Sequence, residues 1–505
     1  MTVESTRAGP PESVATLSLR AVIGFVILAA ALVLGEVTVN ISDRPTVAVV
    51  WGGVALAAYA VGLLFLLRLG QDEGLGLARW KFGPWMLLWY GLVFGITTVT
   101  WSQPQYGTAS EIDVSSVLRA LWLVAGAITA WSLGYRVGPG QLACDLAARA
   151  LGRLRTRFGV DVRGLATPWI LYAIGVAARL VGTITTGRFG YVGDASSAVS
   201  TATGFGGILG ALSLCAPLGL AAAALQVFRE RLPRARTTLI VLFLVELAFG
   251  AAAGGKESFV IAVLAVVIPF SAARLRVPKS VLIAAVLAFL VVVIPFNQAY
   301  RGVARVGSVT LTPSQAIAAA PSIAANTFTA HDPLTVIPNA VGYMAQRIRE
   351  IDDPAIIVQR TPGQIGFRDP AQLILGPAAG MVPRVFWPGK PIGLTGYRFS
   401  QEFLELPSTV ITATPDTIIG GFFWYGGWII VVVGMFVFGG VLRLLDDVID
   451  VAVNPQGTFL VLLLFPSLVG GEEDWPSILT SVPATAFVWL LAVALTFRIR
   501  HSAPK

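Results

Sequence analysis

The sequence predicts an all-α polytopic membrane protein with about 12 transmembrane helices and one long helical extracytoplasmic loop between spans 9 and 10. Three observations predict it. The 505-residue chain is 55% apolar and only 13% charged, with a mean hydropathy of +0.75, more apolar surface than a soluble fold of this length can hide. Apolar runs long enough to span a bilayer recur along it, separated by short arginine-rich or acidic turns. One long polar stretch, 297–416, interrupts them. The net charge of +8 and pI near 9.7 would suit nucleic acid, but basic residues gathered in cytosolic loops account for them, and no nucleic-acid partner is expected.

Eleven runs are of spanning length: 21–39, 47–67, 84–101, 117–135, 167–187, 203–227, 238–253, 258–273, 280–296, 417–442 and 477–497. A twelfth, 456–470, is short and carries Pro466, which predicts a tilted, broken or re-entrant helix. The first run is longer than a signal-peptide core and lacks a good cleavage site, so it reads as a retained span after a polar tail, 1–20. Spans 1–9 thus occupy 21–296, the loop 297–416, spans 10–12 417–497, and a tail 498–505.

Orientation follows from lysine and arginine placement. With a cytosolic N-terminus the inner segments collect Arg68, Arg79, Lys81, the arginines of 136–163, Arg229 to Arg236, Arg274, Arg276, Lys279 and Arg443. The short outer loops hold only Arg44, Arg188 and Lys256, with Glu111, Asp113 and Glu472-Glu473-Asp474 on the same side. Both termini are therefore expected in the cytosol, in the cytoplasmic (inner) membrane, with the long stretch external. Cys144 and Cys215 fall in an inner loop and a span and are not expected to pair. Two histidines are too few for a histidine-built metal site, and no phosphate-cradling glycine loop is present, so neither a metal nor another cofactor is expected.

Within the loop, Thr312–Thr329, Pro333–Glu350 and Asp369–Met381 read as short, partly apolar helices that lie along the membrane surface and roof the bundle. Nine basic residues sit among them: Arg301, Arg305, Arg347, Arg349, Arg360, Arg368, Arg384, Lys390 and Arg398. They fit either ordinary solvation and pairing with Asp352, Asp353, Asp369 or Glu402, or capture of a diphosphate beside the bilayer, for which the planar guanidinium fork suits two phosphate oxygens. The diphosphate reading selects Lys256, Arg301, Arg347, Arg349, Arg384 and Lys390. Lys256 stands in the tight hairpin Gly254-Gly255-Lys256, where a simple turn with a Lys–Glu pair is the competing reading. Arg179 lies inside the fifth span and needs a partner there; Glu246 is as good a candidate as a ligand. His331 and Asp332 could take a proton from a sugar hydroxyl, although Asp332 also suits a helix cap before Pro333. Glu472, Glu473 and Asp474 suit a hard cation or, more simply, a solvated turn.

Val382-Pro-Arg-Val-Phe-Trp-Pro-Gly-Lys-Pro391 resembles a string in the outer loop of Wzy-type oligosaccharide repeat-unit polymerases. Thr414-Pro-Asp-Thr-Ile-Ile-Gly-Gly-Phe-Phe-Trp-Tyr-Gly-Gly427, Tyr300-Arg301 and the Gly255-Lys256 hairpin are similar to further features of that family, over roughly 240–450. The resemblance implies a GT-C-like glycosyltransferase whose partners are undecaprenyl diphosphate-linked oligosaccharide donor and acceptor, the bilayer, and a chain-length regulator. A basic residue at the hairpin is often arginine in that family, where this chain has Lys256. The competing readings are a polysaccharide ligase, a GT-C transferase using a lipid monophosphate sugar, and a lipid-linked glycan flippase. The monophosphate reading expects acidic residues in the first outer loop, where only Asp43 stands. The flippase reading expects a charged path through the membrane and two similar halves.

Overall fold

The computed structural model describes residues 46–66, 79–102, 112–137, 158–192, 206–306, 309–329, 333–382, 395–407 and 416–501, except 163, 191, 275, 277 and 453, together with 77, 387 and 414. Among them, ten helices are long and apolar enough to cross a membrane, so the protein is a multi-pass, helical membrane protein. The spans are α1 (Thr46–Leu66), α2 (Phe82–Tyr90, running on through a π turn, Gly91–Gly95, and a 3-10 turn, Ile96–Thr100), α3 (Val114–Val137) and α4 (Ala166–Thr186). They continue with α5 (Gly206–Ser213) and α6 (Cys215–Phe228) as one crossing, then α7 (Ala235–Ala253) and α8 (Lys256–Arg274). The next crossing joins α9 (Lys279–Ala288) and α10 (Ile294–Ala304) through a π turn at Phe289–Val293. Five short helices follow: α11 (Pro313–Thr329), α12 (Pro333–Arg347), α13 (Asp352–Arg360), α14 (Gln372–Met381) and α15 (Thr395–Glu402). The last helices are α16 (Ile418–Val448), the shorter apolar α17 (Pro455–Gly470) and α18 (Trp475–Thr496). The expected first span, 21–39, lies outside the described residues.

The core is built around α3 and α16. A Cβ on Gly134 would overlap the Phe436 carbonyl and one on Gly439 the Trp131 carbonyl, so only glycine lets these two backbones approach so closely. Trp131 and Phe438 are fully buried in the seam. At the end of the bundle remote from α13, Asp446 accepts the Phe82 and Gly83 amides at 2.6 and 2.9 Å and the Tyr135 hydroxyl at 2.7 Å. It thereby satisfies orphan donors at the start of α2. Among the described residues are two small antiparallel ribbons: β1 (Phe158–Val162) pairs with β4 (Phe497–His501), and β2 (Arg305–Val306) with β3 (Val309–Thr310). The first ties the connector after α3 to the segment after α18, where the sequence suggested only a tail.

The loop is not simply a roof. Ile351–Val358 is buried at every position, Asp352 and Asp353 included, so α13 is part of the bundle. The π turn in α2 explains its seat. Widening that turn shifts the hydrogen-bond ladder, and Val93 O accepts the Glu350 amide at 3.0 Å. Seven residues on, Thr100 O and Oγ1 accept Arg349 Nη1 at 2.7 and 3.1 Å. Arg360 at the far end of α13 pairs with Glu405 at 2.7 Å.

Candidate functional site

The site begins with a two-residue turn. Helix α7 ends at Ala253, and Gly254 adopts φ 64°, a left-handed conformation that costs an L side chain but not glycine. The chain reverses there and α8 starts at Lys256. Reversal leaves the last carbonyls of α7 without helical donors, and α10 supplies them. Asn297 Nδ2 and Arg301 Nε reach Gly254 O at 2.8 and 2.9 Å, and the Tyr300 hydroxyl reaches Ala252 O at 2.8 Å. Residues 297, 300 and 301 share one helical face at i, i+3 and i+4, so a single stripe of α10 clamps the hairpin. The Arg301 cation also lies at the negative end of the α7 dipole, where it is favoured.

The clamp presents Lys256 to α12. Lys256 Nζ lies 3.2 Å from the Tyr343 hydroxyl and 4.2 Å from the centre of that ring. Tyr343 and Arg347 are four residues apart and so adjacent on the α12 surface. Burial pushes the Tyr343 phenol up, but the Lys256 hydrogen bond and the charges of Lys256, Arg347 and Arg301 outweigh it and hold its pKa below the usual tyrosine value. The structure therefore brings Lys256, Arg301 and Arg347 together around one phenol, from three separate segments. Glu350 lies within electrostatic reach of Arg347. Burial raises the Glu350 carboxyl well above its usual range, and Asp353, Glu472 and Asp352 push the same way against Arg347. Three cations gathered around one hydroxyl suit an anion with several oxygens.

A second buried group surrounds the break in α16. Helix α16 breaks at Gly426-Gly427, where Gly427 has φ 66° and ψ −152°, open only to glycine. Trp424 O accepts the Arg368 amide at 2.9 Å, and the Arg368 guanidinium stacks 3.3 Å over the Trp424 ring. Burial and the adjacent Asp474 raise Asp416 well above the usual aspartate range, against Arg368. Asp474 Oδ1 accepts the Ser477 amide at 3.0 Å and caps α18, while Glu472 and Glu473 are exposed.

The remaining candidates fall elsewhere. Arg349 is only 8% exposed and grips Asp352 at 2.8 and 2.9 Å as well as Thr100, so its fork is engaged inside the bundle and not in the cationic cluster. Arg179 makes a two-point pair with Glu246 at 2.7 and 2.9 Å, and Tyr172 donates to the same carboxylate at 3.1 Å. Glu246 is the structural partner that the span required. His331, Asp332, Arg384 and Lys390 lie outside the described residues. Sequence reasoning missed Tyr343, whose signal was its place one turn before Arg347, and the pairing of Arg368 with Trp424.

The raised carboxyls give a pH test. Glu350 and Asp416 have folded pKa values above their unfolded ones, so protonation favours the folded state. Their stabilising effect is complete below about pH 4 and is lost as pH rises through the raised values. The Glu350→Gln/Asp416→Asn variant mimics the protonated forms. Its thermal midpoint is expected to match wild type at pH 5 and exceed it at pH 9. A wild-type midpoint above the variant's at pH 9 would contradict the assignment.

Fold and site together define a multi-pass membrane protein that gathers cations on a clamped hairpin at one end of its bundle. Residues 191–450 match the family described as Domain of unknown function (DUF8712), more than half of the chain, and the protein belongs to that family. The matched region contains the hairpin, α10 to α15 and the kinked α16. No curated protein and no solved structure matches the chain.

Proposed function

We propose that the protein is a membrane glycosyltransferase that polymerises undecaprenyl diphosphate-linked oligosaccharide repeat units into a surface polysaccharide. In this reading the bundle is GT-C-like with twelve spans, 21–39 being the first. Both termini lie in the cytosol, and the 297–416 segment and the cationic cluster lie on the outer face of the cytoplasmic membrane. The observation that carries it is the convergence of Lys256, Arg301 and Arg347 around Tyr343 beside a span end, at the level where a lipid diphosphate would sit. The resemblance at 382–391 and 414–427 supports the same substrate class.

In the reaction, an acceptor sugar hydroxyl attacks the anomeric carbon of the donor, the C–O bond to diphosphate breaks, and lipid diphosphate departs. The cations offset the charge that grows on the leaving oxygens. The hydroxyl proton passes to a base, for which His331 or Asp332 is the candidate. Purified protein supplied with a defined lipid-linked repeat, without nucleotide or metal, is expected to yield a ladder of products. One added block would indicate a ligase, and movement across the bilayer without bond formation a flippase; either result replaces the proposal.

A further inference from the structure

A cavity of ≈ 900 Å³ runs between α4, α5, α7 and α8, lined among others by Arg179, Gly182, Thr183, Gly210, Phe249 and Glu257. We infer that it holds the first part of the isoprenoid chain of a lipid diphosphate whose head group sits on the cationic cluster. The inference rests on the function proposed above.

Four observations favour a hydrocarbon occupant of this kind. The cavity lies at the edge of the bundle, since only 22% of the most apolar stretch of α4, and of α7, is buried. Its wall offers carbon more than polar groups: Thr183, Thr185 and Ser213 turn their hydroxyls onto carbonyls of their own helices at 2.6–2.9 Å. The charge at its deep end is cancelled, because Arg179 is gripped at two points by Glu246. Finally, Ala253 and Glu257 line its other end, and these residues flank the Gly254-Gly255-Lys256 turn that carries the cationic cluster. A lipid with its diphosphate on Lys256 would therefore enter the cavity directly. From Ala178 to Thr186 the α4 wall is about 12 Å long at ~1.5 Å per residue, so a long isoprenoid fills it and continues into the bilayer.

Two glycines make the test possible. A Cβ on Gly182 or Gly210 meets no atom within 4 Å, so bulk added there extends into the cavity and not into a neighbouring helix. The measurement is binding of undecaprenyl diphosphate, of dimethylallyl diphosphate (the same head with a single prenyl unit) and of phosphatidylglycerol. It uses full-length protein in nanodiscs, read by native mass spectrometry. Gly182→Phe and Gly210→Phe are expected to weaken undecaprenyl diphosphate at least tenfold and leave dimethylallyl diphosphate unchanged; Gly182→Leu serves if either Phe variant fails to fold. Wild-type binding of the long chain by the filled variants overturns the inference. So does loss of phosphatidylglycerol alone, which would make the cavity a seat for ordinary bilayer lipid. Arg347→Ala tests the head-group reading separately: if it binds both diphosphates as wild type does, that reading fails whatever the cavity holds.

Discussion

Lys256→Ala, Arg301→Ala and Arg347→Ala are each expected to lower polymer formation by about 10²–10³-fold at unchanged protein level, the usual cost of removing one charge-stabilising donor from a transition state. The expectation follows from how the three side chains are held. Arg301 spends Nε on the Gly254 carbonyl, so its loss both removes a cation and releases the hairpin that aims Lys256. Arg301→Lys, which keeps charge but not the planar fork, is therefore expected to recover only part of the activity. Lys256 approaches Tyr343 from the hairpin and Arg347 lies one turn on in the helix of Tyr343, so their single variants are expected to fold normally. Long-chain product in cells and product ladders from purified variants are the readouts. Full-length chains from all three variants would remove the site.

The second large effect is on folding. Arg349→Ala is expected to destabilise the protein by about 3–5 kcal/mol, because it strips the buried Asp352 carboxyl of the partner that offsets its desolvation. The two side chains are 5% and 7% exposed, and Arg349 also holds Thr100, so one substitution unseats α13 from α2. Replacing both members with apolar residues of similar size, Arg349→Met with Asp352→Leu, should restore folded yield, since a buried pair exchanged whole for packing is often near neutral. Activity in that double variant separates two roles. A folded, active protein makes Arg349 a structural residue, as its contacts indicate; a folded, inactive one returns it to the diphosphate site where the sequence alone suggested it belongs.

Much of this architecture is legible in the sequence, for physical reasons. A span must be apolar over roughly 20 residues, and that signal is strong enough to find each of the ten crossings, although those ending at Val303 and Val448 run past the expected ends, 296 and 442. Pro313–Thr329, Pro333–Arg347 and Gln372–Met381 also match expected loop helices, because proline and aspartate mark their starts. Helix α13 was missed although Asp352-Asp353-Pro354 in its first turn and Arg360 in its last carry helix-end chemistry. Its polar ends suggested surface, whereas Asp352 is buried by a partner three residues away. The π turn of α2 and the break in α16 are backbone events, and only Gly91, Gly95, Gly426 and Gly427 mark them.

The site divides in the same way. Arginine in a polar loop marks candidate cations but not their geometry, since pairing sets them apart from one another. Arg349 and Arg360 are paired with Asp352 and Glu405, while Arg301 and Arg347 meet Lys256. Nothing local to Tyr343 announces that a lysine 87 residues earlier will lie against its ring. Arg179 and Glu246 could be matched in advance because an unpaired charge in the bilayer costs ~2.5–3.5 kcal/mol, which leaves few alternatives.

The most direct test of the central claim is equilibrium binding of a lipid diphosphate to purified wild-type protein and to the Lys256→Ala/Arg347→Ala variant, with the matching lipid monophosphate alongside. Two lost charge-assisted contacts at about 1.5–3 kcal/mol each predict a drop of at least a hundredfold for the diphosphate and a smaller one for the monophosphate. Equal diphosphate affinity in the two proteins, with the variant folded, would contradict the account.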